Sequence, residues 1–121
     1  MKIVLDTNVL INGFKDEYSF EKRIMDEVIA GKIEAFANKQ TLRENKLLSK
    51  QIIDNTEYQN QLNNFFAQIN WVVNRRQINI VSDPQDNKIL ESAVEAKADY
   101  LITSDNDLLK LVKYQNIKIA T

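Results

Sequence analysis

The sequence predicts an α/β fold: a parallel sheet with helices on both faces. Three observations carry this. Short apolar, β-branched runs alternate along the chain with longer segments of helical period, the order that parallel strands and their crossovers require. Acidic turns follow or divide these runs, at Asp6-Thr7-Asn8, Asp83-Pro84-Gln85-Asp86 and Ser104-Asp105-Asn106-Asp107. The 121 residues are 44% hydrophobic and 27% charged, enough apolar material for one core, so a single domain over residues 1–121 is expected.

Taken in order, Lys2 to Leu5 is an apolar run with a β-branched centre and predicts a buried strand that ends at Asp6. Ser19 to Ala30 places Phe20, Ile24, Met25, Val28 and Ile29 at helical spacing, with Ser19 as N-cap and Gly31 as the stop. Ile33 to Ala37 predicts a second strand. From Thr41, the positions of Leu42, Leu47, Leu48, Ile52 and Ile53 are helical, and Thr41-Leu42-Arg43-Glu44 matches a capping box. A long helix is expected next, because Tyr58, Leu62, Phe65, Phe66, Ile69, Val72 and Val73 share one face, with Thr56 and Gln59 at its start and Arg75-Arg76 at its end. Ile78 to Val81 predicts the third strand. Residues 84 to 97 predict a helix with Lys88, Glu91 and Glu95 on a polar stripe opposite Ile89, Leu90, Ala93 and Val94. Tyr100 to Thr103, Leu108 to Val112 and Ile117 to Ala120 complete the pattern as strand, short helix and fifth strand.

Composition narrows the chemistry. With no cysteine, disulfides, thiolate zinc sites and Cys nucleophiles are excluded, and a reducing cytoplasm is the expected location. The absence of histidine removes the usual general base and the commonest transition-metal ligand, leaving carboxylates, Lys, Tyr, hydroxyls or a metal-bound water. A net charge of −1 gives no global attraction to nucleic acid but permits a local basic patch. No apolar run approaches membrane-spanning length, so no membrane is expected to be involved.

In a parallel sheet, ligands gather beyond the carboxyl ends of the strands, which is where Asp6 and Asp105 fall. Asp6, Glu44, Asp86 and Asp105 are the acidic positions of interest, with Asp107 close behind. Each also has a structural reading. Asp6 suits an Asx-turn, Glu44 the capping box, Asp83 a helix cap before Pro84 with Asp86 in the first turn, and Asp105 a cap for the next helix. Taken together they carry more weight. Carboxylates crowded at one sheet edge repel one another unless a cation compensates, and Mg2+ or Mn2+ is the hard ion suited to oxygen ligands. Such a site supports metal-assisted hydrolysis of phosphate esters without histidine.

Val4-Leu5-Asp6-Thr7-Asn8-Val9-Leu10, Thr41-Leu42-Arg43-Glu44, Asp83-Pro84-Gln85-Asp86-Asn87 and the stretch from Ala98 to Leu109 (ADYLITSDNDLL) resemble the successive blocks of the PIN-domain family. The likeness is greatest to the VapC-like toxin components of bacterial and archaeal toxin–antitoxin systems. The resemblance implies a three-layer α/β/α fold with a five-stranded parallel sheet in the order 3-2-1-4-5. It also implies a ribonuclease dependent on one or two Mg2+ or Mn2+ ions. Carried over by position, Asp6, Glu44, Asp86 and Asp105 match the family's acidic quartet, and Asn8 and Thr103 match its supporting polar positions. Asp107 corresponds to an outer or second-ion ligand. In the family's reaction a metal-activated water attacks the phosphodiester in line, leaving a 5′-phosphate and a 3′-hydroxyl. RNA as substrate, a cognate antitoxin protein and a homodimer are the implied partners. Relatives usually continue past the last strand into a short tail, whereas this sequence stops at Thr121, which leaves a tail contribution to dimerisation or antitoxin binding without support.

Substrate contacts are less well marked. Lys39, Arg43, Lys46, Lys50, Arg75 and Arg76 are candidates for tracking an RNA backbone, and they equally suit ordinary solvated helix faces. The spacing of Tyr58, Phe65 and Phe66 fits core packing better than base stacking. Two other classes fit part of the pattern. A catalytically silent PIN-like module that binds RNA or protein would suit the low net charge. A phosphoacceptor domain would share the size and alternation, but nothing matches its acceptor Asp, and Lys118 falls inside the expected last strand.

Overall fold

The computed structural model describes residues 1–6, 9, 19–52 and 55–120. Strand β1 (Lys2–Leu5) is followed by helix α1 (Phe20–Ile29), strand β2 (Glu34–Asn38), helices α2 (Lys39–Ile52) and α3 (Thr56–Gln68), and strand β3 (Asn70–Val72). Helix α4 (Pro84–Ala96), strand β4 (Tyr100–Ile102), helix α5 (Asn106–Leu109) and the strands β5 (Lys113–Tyr114) and β6 (Ile117–Ala120) complete the fold. The sheet runs β3-β2-β1-β4-β6-β5. Its first five members are parallel, in the expected order, and β5 is an added antiparallel edge strand paired Lys113 to Lys118 and Tyr114 to Ile117.

Strand alternation sends successive side chains to opposite faces and so builds two cores. Ile3 and Leu5 of β1, Ala35 and Ala37 of β2 and Ile102 of β4 pack with Met25, Val28, Leu62, Phe65 and Phe66 from α1 and α3. Val4, Leu101 and Ile119 face the other way, against Ile89, Leu90 and Ala93 of α4 and Leu108 of α5. Tyr58, Phe65 and Phe66 are buried, which bears out packing over base stacking. The hydroxyl of Tyr58 donates to Met25 Sδ at 3.2 Å.

Several helix boundaries follow their caps. Ser19 Oγ accepts from Lys22 N, and Gly31 takes φ +79° just beyond the end of α1. Asp83 Oδ1 accepts from Gln85 N, with Pro84 as the first residue of α4. The other expected starts need correction. Helix α2 begins at Lys39, directly from β2, with Asn38 Oδ1 accepting from Thr41 N at 2.8 Å. Thr41 therefore lies inside the helix, and Glu44 is not its capping partner. At α3, Asn55 rather than Thr56 is the cap, accepting from Tyr58 N.

The largest correction concerns the third strand. The long helix stops at Gln68, and Asn70–Val72 forms β3 on the edge of β2, so Arg75 and Arg76 lie in the connection beyond it. Ile69, Val72 and Val73 continued a helical spacing, but the β-branched residues suit an edge strand, and Asn70 Nδ2 donates to Ala35 O to tie it there. With β3 in that place, Ile78 to Val81 is not a strand. Asn87 of α4 supplies the partners that a neighbouring strand would have given. Its Oδ1 accepts from Ile80 N and Val81 N, and its Nδ2 donates to Val81 O at 2.8 Å.

Asn87 is 6% exposed and sits beside Asp86, so this clamp fixes the approach to α4. Replacing Asn87 with Ala strands three backbone groups and is expected to cost about 2–4 kcal/mol. Urea unfolding checks this, and an unchanged midpoint would show that the clamp carries no stability.

Candidate metal centre

The carboxyl edge of the sheet brings the acidic positions together. Asp6 leaves β1 buried, its backbone N–H donating to Ile102 O, and its Oδ2 accepts from Thr103 Oγ1 at 2.8 Å. Thr103 is fully buried, and the same hydroxyl accepts from Asp105 N at 3.0 Å. One side chain thus holds the ends of β1 and β4 in register. The matching polar position at Asn8 lies outside the described residues.

A cavity of about 200 Å³ opens beside Asp6, lined also by Thr41, Glu44, Asn45, Gln85, Asp86 and Ile89. Three of the four acids of the quartet therefore face one space. Asp105 does not line it. Its Oδ1 caps α5, accepting from Asp107 N and Leu108 N, while the other carboxyl oxygen takes no part in the cap. Capping and proximity coexist, because Asp105 still acts electrostatically on Asp86. Asp107 is exposed, acts on Asp86 in the same way, and stands 3.9 Å from Lys110 Nζ, a surface pair of little energetic weight.

Asp86 is the most perturbed of these acids. It is 7% exposed in the first turn of α4, and its pKa is pushed up from 3.8 to about 6, first by burial and then by Asp105, Asp83, Asp6 and Asp107. None of the described residues lining the cavity is basic. Glu44 is exposed, and its Oε1 accepts from Gln40 Nε2 at 3.3 Å, so it is the member with most freedom to move.

The donor set suits a hard divalent ion: carboxylates, a hydroxyl and amide carbonyls, with no soft ligand and with a repulsion that a cation would relieve. As they stand, no three carboxylates among the described residues are gathered tightly enough to hold one.

The family model of the PIN domain matches residues 2–107, which include every one of these acids. The chain belongs to the PIN-domain family. An uncharacterised protein of Methanocaldococcus jannaschii is 29% identical over 117 residues, covering 92% of this chain and 75% of that one. Among solved structures, a chain of VapBC2 from Rickettsia felis, crystallised bound to a DNA fragment from their promoter, superposes with a TM-score of 0.65. It is 14% identical, and the match covers 98% of this PIN domain and 97% of that chain, so the likeness is one of fold. PIN domains generally work with divalent metal ions, and PIN-domain nucleases are hydrolases acting on nucleic acids. No helix among the described residues is long and apolar enough to cross a membrane.

None of the basic candidates is among the described residues that line the acidic cavity. Arg43, Arg75 and Arg76 are exposed, and Lys46 reaches over the ring of Phe66 beside a separate cavity that it lines with Lys50. Sequence reasoning missed Thr41, Asn45 and Gln85 as lining residues, and it set Glu91 on a polar stripe opposite the apolar face. Glu91 is in fact buried at 9% exposure. Helical spacing alone could not reveal this, since the cover comes from β2 and β3.

The raised pKa of Asp86 gives a signed pH dependence. Between pH 3.8 and about 6 the folded state holds a proton that the unfolded chain has released, so this group lowers stability as pH rises through that window. In EDTA, Asp86→Asn is expected to be more stable than wild type at pH 7, by on the order of 1–3 kcal/mol, with the two converging toward pH 4. Urea titrations at both pH values measure it, and a less stable variant at pH 7 would contradict the electrostatic account.

Proposed function

We propose that this PIN domain is a Mg2+- or Mn2+-dependent endoribonuclease, the toxin of a toxin–antitoxin pair. The observation that carries the reading is the facing of Asp6, Glu44 and Asp86 onto one cavity with no basic residue among the described residues lining it, and with Asp105 electrostatically coupled to Asp86. The fold likeness to VapBC2 supports the toxin assignment and a protein antitoxin as partner.

Asp6, Glu44, Asp86 and Asp105 are the residues that would hold the ion. When bound, it supplies activation of water and neutralisation of charge on the phosphodiester. Each side chain has a distinct task in this scheme. Asp6 is held by Thr103 and offers its remaining oxygen to the ion. Asp86, whose ionised form burial and the neighbouring acids disfavour, would be the acid most relieved by the ion's charge. Glu44 is the mobile ligand that completes the set. Thr103 is a positioning residue acting through Asp6 and Asp105.

Cleavage of single-stranded RNA is expected with Mg2+ or Mn2+ and to stop in EDTA. Asp6→Asn and Asp105→Asn should reduce it to background, and Thr103→Val should lower metal affinity or activity about 10- to 100-fold. Cleavage by Asp6→Asn at the wild-type rate would overturn the site assignment. Calorimetric Mn2+ titration addresses the silent-module reading, since ion binding together with cleavage excludes it.

A further inference from the structure

A second cleft, of about 380 Å³, lies beside the acidic cavity at the ends of β2 and β3. Lys39 and Gln40 form one side, Lys88 and Glu91 of α4 the other, and Asn38 and Asn74 stand at the strand ends. Helices α2 and α4 line both spaces. Lys88 Nζ donates to Gln40 Oε1 at 3.4 Å, and Gln40 Nε2 donates to Glu44 Oε1, so a polar bridge runs from this cleft to an acid of the proposed metal centre.

Glu91 is the acceptor that the cleft presents to a ligand. The residue is 9% exposed and lines the cleft, and its carboxyl takes no hydrogen bond from the described residues. Its surroundings are otherwise satisfied. Asn38 Nδ2 donates to Ser92 Oγ, and Asn74 Nδ2 donates to Lys88 O while its Oδ1 accepts from Ser92. The Glu91 carboxyl oxygens are reached from the cleft, so a donor entering it meets an acceptor that its neighbours leave open.

We propose that this cleft is a base-recognition subsite for the nucleotide beside the cleaved phosphodiester, and that Glu91 selects guanine. The proposal rests on the ribonuclease reading and deepens it. Guanine presents N1–H and N2–H side by side, two donors matched to the two oxygens of one carboxylate. Cytosine, adenine and uracil each offer fewer adjacent donors on that edge. Lys39 and Lys88 flank Glu91 and suit the phosphates on either side of the base. The same two cations disfavour a basic peptide as the occupant. Lys39 Nζ also lies 4.7 Å from the ring centroid of Trp71, an exposed indole beside the cleft.

The test uses the full chain with Mn2+ and labelled uridine tracts carrying a single guanosine or, in its place, inosine, which lacks the 2-amino donor. The wild type is expected to cut beside the guanosine about tenfold faster than beside the inosine, the discrimination of one good base contact. Glu91→Gln should cleave both alike while its Mn2+ affinity is unchanged. Equal cleavage of the two oligonucleotides by the wild type overturns the proposal and leaves the cleft to a protein partner, with the ribonuclease reading intact. That comparison needs no variant, so a misfolded Glu91→Gln protein does not obscure it. If no RNA is cut, fluorescence anisotropy of the same oligonucleotides in EDTA decides: tenfold tighter binding of the guanosine tract supports the subsite, and equal binding overturns it.

Discussion

Thr103 is the buried residue through which the ends of β1 and β4 are bound to each other at the site. Its hydroxyl donates to Asp6 Oδ2 and accepts from Asp105 N, using both capacities of one oxygen. Because β1 and β4 are central and adjacent in the sheet, with Leu5 opposite Ile102, their register sets Asp6 level with Thr103, two residues before Asp105. Everything else at this edge is arranged around that pair. The backbone of β1 continues the clamp, with Asp6 N donating to Ile102 O.

The second organising element is α4, which carries its functional groups on successive turns. Asp83 caps it, Asp86 enters the acidic cavity, Asn87 holds the preceding connection, and Glu91 enters the neighbouring cleft. Ser92 then bonds across to Asn38, where β2 passes into α2, the helix that bears Glu44. The hydrogen bonds of Asn38 thus link the start of α2 to α4, and with them the two helices that face each other over the cavity. A polar residue at this junction gives the directional contact that an apolar one would not.

Much of this was legible from local chemistry, and what was not has physical reasons. The strand order was implied by the resemblance to the PIN-domain family, whereas the alternation of strands and helices and the caps at Ser19 and Asp83 depend on short-range preferences that the residues express directly. The third strand does not. Ile69, Val72 and Val73 fall at helical spacing by coincidence, and Ile78 to Val81 is as β-prone as a strand. Which of the two segments pairs with β2 is settled by Asn70 and Asn87, through hydrogen bonds spanning 35 residues in one case and 6–7 in the other. Burial was similarly hidden at Glu91, whose cover comes from distant strands. For Glu44, the capping-box pattern was a false signal, since the helix starts at Lys39, two residues before Thr41.

The electrostatics of the edge couple the two ligands of the proposed enzyme. A phosphodiester approaching Asp6, Glu44 and Asp86 meets negative charge, and with a net charge of −1 the chain has no broad positive field to offset it. The five acids in and around Asp86 also repel one another, most strongly where burial removes water's screening. A divalent cation answers both repulsions at once: it lowers the cost of ionising Asp86 and turns the local potential toward one that accepts phosphate. Ion and RNA are therefore expected to strengthen each other's binding, a reciprocity required by linkage. The lysines bordering the neighbouring cleft then need only hold the strand beside the centre, because attraction at the centre itself comes from the ion.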